Sequence, residues 1–522
     1  MMMPDSLLGI CRRPSLRAQA LGAFTLAAIL IGGHAVAAPA TATATPPNVI
    51  LIIADDMGYG DIGPFGSKVN RTPHLDRLAQ EGMRLTSFYA APVCTPSRAQ
   101  FLTGCYAKRV SLPDVIFPAC PIGLSTNEVT LPKLLQQRGY ATMAIGKWHV
   151  GDQPAFLPTR HGFDHYLGLP YSNDMGPAEE QAALKSLNSP ASDGPARFDA
   201  PGGLGITRSR RPPLPLVRDE QVIENISPSD QDQITARYAE EAVKFIRGHQ
   251  TQPFFLYLAH TAVHVPLHPG AAFRGRSKNG LFGDWVEEVD WSVGRVMDTL
   301  RELKLDQRTL VIFTSDNGPW LTMGTNGGVA TPLRGGKTTT WEGGVREPTI
   351  AWWPGAIAAG SSNDAVMANF DLLPTFASLA GATLPQDRKI DGANLWPLLS
   401  GQSSAPVHEA FYYFNGNRLE AVRSGPWKLA IHDQGGGAGA KKAAGQPLRL
   451  YNLNADIGET KDVAAQNPEV VQRLEKRVAE MDADLGASKQ GPGVRPPGRV
   501  AQPQPMVLPG ASYLLGQPTG RN

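Results

Sequence analysis

The sequence predicts an α/β fold: a mostly parallel sheet sandwiched by helices, followed by a smaller C-terminal α+β domain built on an antiparallel sheet. Three observations predict it. Apolar, β-branched runs such as Val49-Ile50-Leu51-Ile52-Ile53 read as strands buried on both faces, the mark of a parallel sheet covered by helices. Amphipathic segments alternate with those runs, as crossover connections require. Past about residue 405 the pattern changes to short strands with no helices between them.

The N-terminus reads as a leader. Arg12, Arg13 and Arg17 precede an apolar run from Leu21 to Ile31, and Ala35-Val36-Ala37 follows it. A basic flank, a short apolar core and a small-residue cleavage site make residues 1–37 a signal peptide. The run is short for a bilayer span, so the mature chain is expected to lack a transmembrane anchor and to be exported, periplasmic or secreted. Arg12-Arg13 leaves the general and twin-arginine routes both open. Residues 38–47, rich in Ala, Thr and Pro, form a linker.

A main domain is expected over 48–404. Val49–Ile53 is its first strand and Leu75–Glu81 a helix; Tyr140–Ile145, Pro253–Ala259 and Leu310–Thr314 are further strands. Between the last two, Trp285–Leu303 spaces its apolar residues helically. Residues 176–216, dense in Pro, Gly, Ala and Ser, read as an irregular excursion. The second domain, 405–490, holds strands at Ala410–Phe414, Leu419–Arg423, Trp427–Ile431 and Leu448–Leu453, a Gly/Ala/Lys loop at 435–445, and a charged helix at Pro468–Leu485. The tail, 491–522, is rich in Pro and Gly and is read as either extended along the surface or disordered. There are no internal repeats. A formal net charge of +2 over 522 residues gives no case for nucleic acid or an anionic membrane.

In an open parallel sheet, ligands bind beyond the carboxyl ends of the strands. The first strand ends in Asp55-Asp56 and the last in Asp316-Asn317; Lys147 and His149 follow the second, and His260 and His264 the third. Two carboxylates about 4 Å apart repel by roughly 4 kcal/mol at an effective dielectric near 20, so three in one crevice must take up protons or a cation. All-oxygen ligands select calcium, magnesium or manganese rather than zinc. A turn- or helix-capping role is the alternative for any one of these acids; their joint placement at buried strand ends favours a metal.

Cys11 belongs to the leader, which leaves Cys94, Cys105 and Cys120, an odd number for an exported chain. If Cys105 and Cys120 pair, Cys94 is left over. In Cys94-Thr95-Pro96-Ser97-Arg98 the proline places Cys94 at a helix N-terminus, where the dipole would lower a thiol pKa or steady an oxyanion. Arg98, four residues on, shares that helix face.

Cys94-Thr95-Pro96-Ser97-Arg98, followed by Leu102-Thr103-Gly104, resembles the modification motif of the formylglycine-dependent sulfatases. The resemblance extends over most of 48–465, through the Asp55-Asp56 segment, Gly146-Lys147-Trp148-His149, Ser315-Asp316-Asn317-Gly318, Leu333-Arg334-Gly335-Gly336-Lys337 and Trp341-Glu342-Gly343-Gly344. It places the chain near arylsulfatase A and N-acetylgalactosamine-6-sulfatase, in the alkaline phosphatase superfamily, and so implies an alkaline phosphatase-like fold. One departure is Cys105, where relatives often carry Arg.

The resemblance implies that a formylglycine-generating enzyme oxidises Cys94 to an aldehyde (3-oxoalanine), whose hydrate attacks sulfur and then expels sulfate. It further implies one calcium ion, magnesium being the alternative, held by Asp55, Asp56, Asp316, Asn317 and the modified Cys94. Arg98 would steady the hydrate, Lys147 and Lys337 would grip sulfate oxygens, and Ser172 would contact sulfate. His149 would act as base and His264, rather than His260, as acid on the leaving oxygen. The substrate would be an aryl sulfate or a sulfated glycan. His161, His165, Trp341 and Arg346 are read as structural, and Asn225-Ile226-Ser227 as a chance sequon. The rival readings are a phosphonate or phosphate ester hydrolase of the same superfamily and a non-catalytic glycan-binding relative.

Overall fold

Strand β1 (Asn48–Ala54) is buried along its whole length, and its alternate side chains enter two separate cores. Ile50 and Ile52 face one side, Val49, Leu51 and Ile53 the other. Each such aliphatic side chain contributes about 1.5–3 kcal/mol by leaving water, and both faces must be covered to gain it. Helices α1 (Pro73–Glu81), α4 (Ile234–Gly248) and α5 (Gly280–Glu302) cover the first face through Leu75, Tyr238 and Trp285. Helices α2 (Cys94–Thr103), α3 (Leu131–Gln136) and α7 (Leu372–Ala380) cover the second through Phe101, Leu135 and Phe376.

The computed structural model describes residues 46–176, 212–435 and 447–508. The expected leader, most of the linker, the bulk of the 176–216 excursion and of the 435–445 loop, and the last part of the tail lie outside the described residues.

The parallel centre comprises β9 (Thr309–Ser315), β1, β8 (Phe254–Ala259), β4 (Ala141–Gly146) and β5 (His165–Gly168), in that spatial order. Beyond β9 lie β10 (Arg346–Trp352), antiparallel to it, and β2 (Met83–Tyr89), which also pairs β11 (Ser361–Asn363) and β12 (Met367–Ala368). Beyond β5 an antiparallel hairpin of β6 (Leu214–Arg218) and β7 (Gln221–Ile226) closes the other edge. The strands expected at the centre of the main sheet (β1, β4, β8 and β9) and the two expected helices (α1 and α5) are present. The excursion is corrected at its end, since Leu214-Pro215-Leu216 begins β6; the proline sits in an outer hairpin where a missing N–H is tolerated.

A second sheet, antiparallel throughout, orders β13 (Phe411–Asn415), β14 (Arg418–Ser424), β15 (Trp427–Ala430) and β16 (Arg449–Asn452). Helix α9 (Pro468–Asp484) seals one face with Val470 and Leu474. The other face shares a core with the main body, where Phe411 and Tyr413 meet Tyr89 and Trp341. At its centre is Glu342, the first residue of the short α6 (Glu342–Val345), which accepts from the Tyr413 hydroxyl at 2.8 Å and Lys428 Nζ at 3.1 Å. Burial raises its pKa, but Lys428, Arg423 and Arg346 outweigh that and hold it at about 2. A single-turn helix, α8 (Trp396–Leu399), completes the connection between the two sheets.

The described part of the tail is extended along the surface. Gly498–Arg499 forms β17 against β3 (Ile122–Gly123), Arg495 Nε donates to Glu128 at 2.8 Å, and Gln504 N–H to Gln153 at 2.9 Å. No disulfide joins Cys105 to Cys120.

Candidate active site

The four strand ends singled out by the sequence lie side by side, because β9, β1, β8 and β4 are consecutive neighbours in the sheet. Asp316 and Asn317 leave β9, Asp55 and Asp56 leave β1, His260 and His264 follow β8, and Lys147 and His149 follow β4. All are at most 3% exposed. Asp56 and His149 hold φ of 60° and 63°, left-handed values that cost a non-glycine residue about 1–3 kcal/mol and recur at functional sites. Gly146 serves the same corner: a Cβ there would lie 1.8 Å from the Ala259 carbonyl oxygen, so β4 can end against β8 only with glycine.

Cys94 is the first residue of α2, one turn before Arg98. Its thiol donates to Asp55 Oδ1 at 3.6 Å. The expected fall in the thiol pKa is overturned. Burial pushes it far up, beyond what Lys147 and Lys337 recover, so the group is a neutral thiol. Arg98 is fully buried, with Nε and Nη2 on Asp316 Oδ2 at 3.0 and 2.7 Å and Nη1 on the Lys147 carbonyl at 2.6 Å. Thr95, between them, donates to the His149 carbonyl at 2.8 Å and so ties α2 to the end of β4.

Cations and acids interleave. Lys147 pairs with Asp55 Oδ2 and donates to Ser172 Oγ at 3.1 Å; Lys337 pairs with Asp56 Oδ2 at 2.7 Å. Burial pushes the Asp55 carboxyl up, but Lys147, His264, Arg98 and Lys337 together hold it well below the usual carboxylate range. Asp316 moves the other way, to about 6, through burial and the charge of Asp55. His264 donates its Nδ1 proton to the Val265 carbonyl at 2.6 Å, since a carbonyl can only accept, and turns Nε2 toward Asp56 Oδ2 at 3.7 Å. His149 likewise gives its Nε2 proton to the Ile116 carbonyl at 3.0 Å. Its Nδ1, buried and without a partner, therefore carries a lone pair. Burial, Lys147 and Arg98 hold His149 well below the ordinary histidine value.

Asp55, Asp56, Cys94 and His264 each bring one ligand atom within 4.8 Å of the others. Asp316 is outside that group, its Oδ2 taken by Arg98. Asn317 gives its amide protons to Asp56 Oδ1 at 2.7 Å and the Gly318 carbonyl at 2.9 Å, which leaves a buried Oδ1 with no partner. The three other histidines singled out in the sequence stand apart: His260 bonds Ser292 at 3.1 Å, His161 packs on Trp148, and His165 is exposed beside Asp219. Two residues were missed. Trp320 lies over Lys337 and His264; a lone aromatic after Gly-Pro gives no signal in sequence. Glu347 is buried on β10 with both carboxyl oxygens lacking a hydrogen-bond partner, and its segment Arg346-Glu347-Pro348-Thr349 gives no sign of that burial.

Known proteins are similar to this chain in sequence and fold. A family model described as "Sulfatase" matches residues 47–382, and one for the C-terminal part of N-sulphoglucosamine sulphohydrolase matches 336–484. Arylsulfatase A of Homo sapiens is 40% identical, over 86% of this chain and 90% of its own. N-acetylgalactosamine-6-sulfatase of Sus scrofa is 39% identical, over 74% of this chain and 72% of its own. The crystal structure of the PsFucS1 sulfatase from Pseudoalteromonas sp. superimposes with a TM-score of 0.74 at 30% identity, covering 85% of this chain and 91% of that one. The chain therefore belongs to the sulfatase family and is a sulfuric ester hydrolase.

Proposed function

We propose that this enzyme hydrolyses sulfate monoesters, aryl or carbohydrate, through a formylglycine made from Cys94 beside a calcium ion. The observation that carries the reading is the placement of Cys94: a neutral thiol at the head of a buried helix, against Asp55, with a cation paired to each of Asp55, Asp56 and Asp316. A buried neutral thiol is a poor nucleophile, which fits a residue whose chemistry is acquired by modification.

The residues suit a hard cation. The carboxylates of Asp55 and Asp56 are oxygen donors in one cluster, and the unpartnered Oδ1 of Asn317, whose amide is bonded to Asp56, adds another, the kind of donor calcium prefers. Asp316 would join after turning from Arg98. When bound, calcium supplies the positive charge that lowers the pKa of the hydrated aldehyde at position 94 and screens the sulfate.

Arg98 fixes the head of α2 against Asp316 and contributes charge beside position 94. Lys147 and Lys337 offer ammonium protons to sulfate oxygens, and Ser172, already bonded to Lys147, extends that cradle. His149, neutral and with Nδ1 free to accept, is the base that takes a proton at position 94. His264 presents Nε2 beside Asp56; with its Nδ1 proton held by the Val265 carbonyl, it can hand a proton to the leaving oxygen only as the imidazolium, the form that the Asp56 and Asp55 carboxylates favour against burial and Lys337. Substrate selection is assigned to the loops around this mouth, with an aryl sulfate or a sulfated glycan as the ester. Export to the periplasm or beyond follows from the basic and apolar N-terminus; among the described residues no helix is long and apolar enough to cross a membrane.

The test is the mass of the peptide containing Cys94 from protein co-expressed with a formylglycine-generating enzyme. Conversion to the aldehyde is expected. An unmodified cysteine would overturn the mechanism and favour a glycan-binding role.

A further inference from the structure

The proposed mechanism accounts for the sulfate end of the substrate and leaves the alcohol end unassigned. Trp320 stands on that side. It follows Asp316-Asn317-Gly318-Pro319 and precedes a 3-10 turn at Leu321–Asn326. Its ring centroid is 5.4 Å from the His264 ring, inclined at 52°, and 4.5 Å from Lys337 Nζ. Those two groups are almost fully buried, whereas Trp320 is half-buried, with its inner part packed on the core. Among the described residues it is the one aromatic side chain against both of these site groups.

The loop fixes the backbone at Trp320. The Trp320 carbonyl accepts the Met323 N–H at 2.9 Å, and a Cβ on Gly327 would lie 2.0 Å from that same carbonyl oxygen. The chain thus closes tightly on the carbonyl of Trp320. Leu321, next in sequence, is 44% exposed and continues the apolar surface outward. A partly exposed indole beside buried charges has the composition of a ligand-orienting wall: apolar area with a few convergent polar groups.

We infer that Trp320 determines specificity by receiving the ring of the departing alcohol on its exposed face, so that esters of flat or chair-shaped rings are favoured. The inference rests on the sulfatase reading above, because His264 acting as proton donor brings the leaving oxygen beside the imidazole. A ring attached to that oxygen is then carried onto the aromatic group that flanks His264. An aryl ring or the C–H face of a pyranose meets the same requirement, an apolar face with polar substituents at its edge.

Trp320→Ala and Trp320→Phe, made in the modified, calcium-loaded enzyme, test this. The measurements are KM for p-nitrophenyl sulfate and for a monosaccharide 6-sulfate, and Ki for inorganic sulfate, which has no ring. Trp320→Ala is expected to raise KM by about tenfold, the loss of one aromatic stacking contact, while Trp320→Phe recovers most of it and Ki stays within about twofold. A rise confined to one ester supports the inference and identifies which ring the site prefers. A Ki that rises in step with KM would overturn it, since Trp320 would then only be shaping Lys337; so would an unchanged KM for both. Wild-type enzyme inert toward both esters would overturn the sulfatase mechanism and this inference with it, whereas wild-type turnover with an indifferent Trp320→Ala sinks the inference alone.

Discussion

Arg98→Ala probes how the site keeps three acids in a dry pocket. The guanidinium is fully buried and satisfies Asp316 Oδ2 twice and the Lys147 carbonyl once. Its removal leaves a buried carboxylate without its partner, which costs about 3–5 kcal/mol. Unfolding entropy near 2.1 cal/mol/K per residue gives roughly 1 kcal/mol/K for the folded unit Thr45–Asn522. The expected fall in Tm is therefore about 3–5 °C at pH 8. The loss should depend on pH with a definite sign. Asp316 already has a folded pKa raised to about 6, against 3.8 as its ordinary value. A carboxyl raised in this way favours folding below the ordinary value and loses that contribution as pH climbs through the folded one. Without Arg98 the folded value rises further, so at pH 5 Asp316 is protonated in variant and wild type alike and the deficit shrinks. Thermal melts at pH 5 and pH 8, in excess chelator so that no bound cation masks the charge, decide it. Equal deficits at the two pH values, or none at pH 8, would refute the reasoning.

Four further outcomes are expected. His264→Gln should lower kcat by about 100-fold or more for alkyl and sugar sulfates and less for p-nitrophenyl sulfate, whose oxygen leaves without help; an equal loss on both would remove the acid role. His260→Gln, which removes the bond to Ser292 and the ring contact with Tyr238, should lower Tm with kcat preserved. Glu347→Gln should leave Tm within about 1 °C at pH 7, because burial and the nearby Asp316 charge hold Glu347 protonated; a large drop would show it ionised. Deleting residues 491–522 removes the Arg495–Glu128 pair and β17; since that strap backs the loop whose Ile116 carbonyl orients His149, kcat should fall with KM unchanged, and a wild-type kcat would show that His149 needs no such support.

The sequence makes the centre of the main sheet legible because its strands are apolar on both faces, a pattern that water permits only under helices. The same logic fails at the edges. β2 and β10 mix Arg, Thr, Glu and Pro into the strand, and β6 emerges from a Pro-rich segment; their neighbours fix them, and neighbours are invisible in a single sequence. Likewise, the strand-end acids and bases are readable because topology alone brings consecutive parallel strands to one rim. The state of Cys94 is not readable. The helix N-terminus argues for a thiolate, and only the burial of Cys94 in the fold decides that desolvation prevails. Trp320 is absent from the reading for a related reason: its neighbours Lys337 and His264 lie 17 and 56 residues away in sequence, and nothing in its own segment names them.

The formal charges of the site explain why lysines and a cation belong together on the proposed mechanism. Asp55, Asp56 and Asp316 face Lys147, Lys337 and Arg98, and each acid has a cation against it. So paired, the lysines have little charge to offer an anionic ester, because the attraction of each is met by its own carboxylate. A divalent ion on Asp55 and Asp56 would compete for those same oxygens and leave Lys147 and Lys337 free to turn toward sulfate. Arg98 differs, since its fork is also anchored on the Lys147 carbonyl. It would stay with α2 and hold position 94 in place while the two lysines exchange a carboxylate partner for the substrate. The division suits the side chains: a rigid guanidinium for a fixed geometry, flexible ammonium groups where a partner must change.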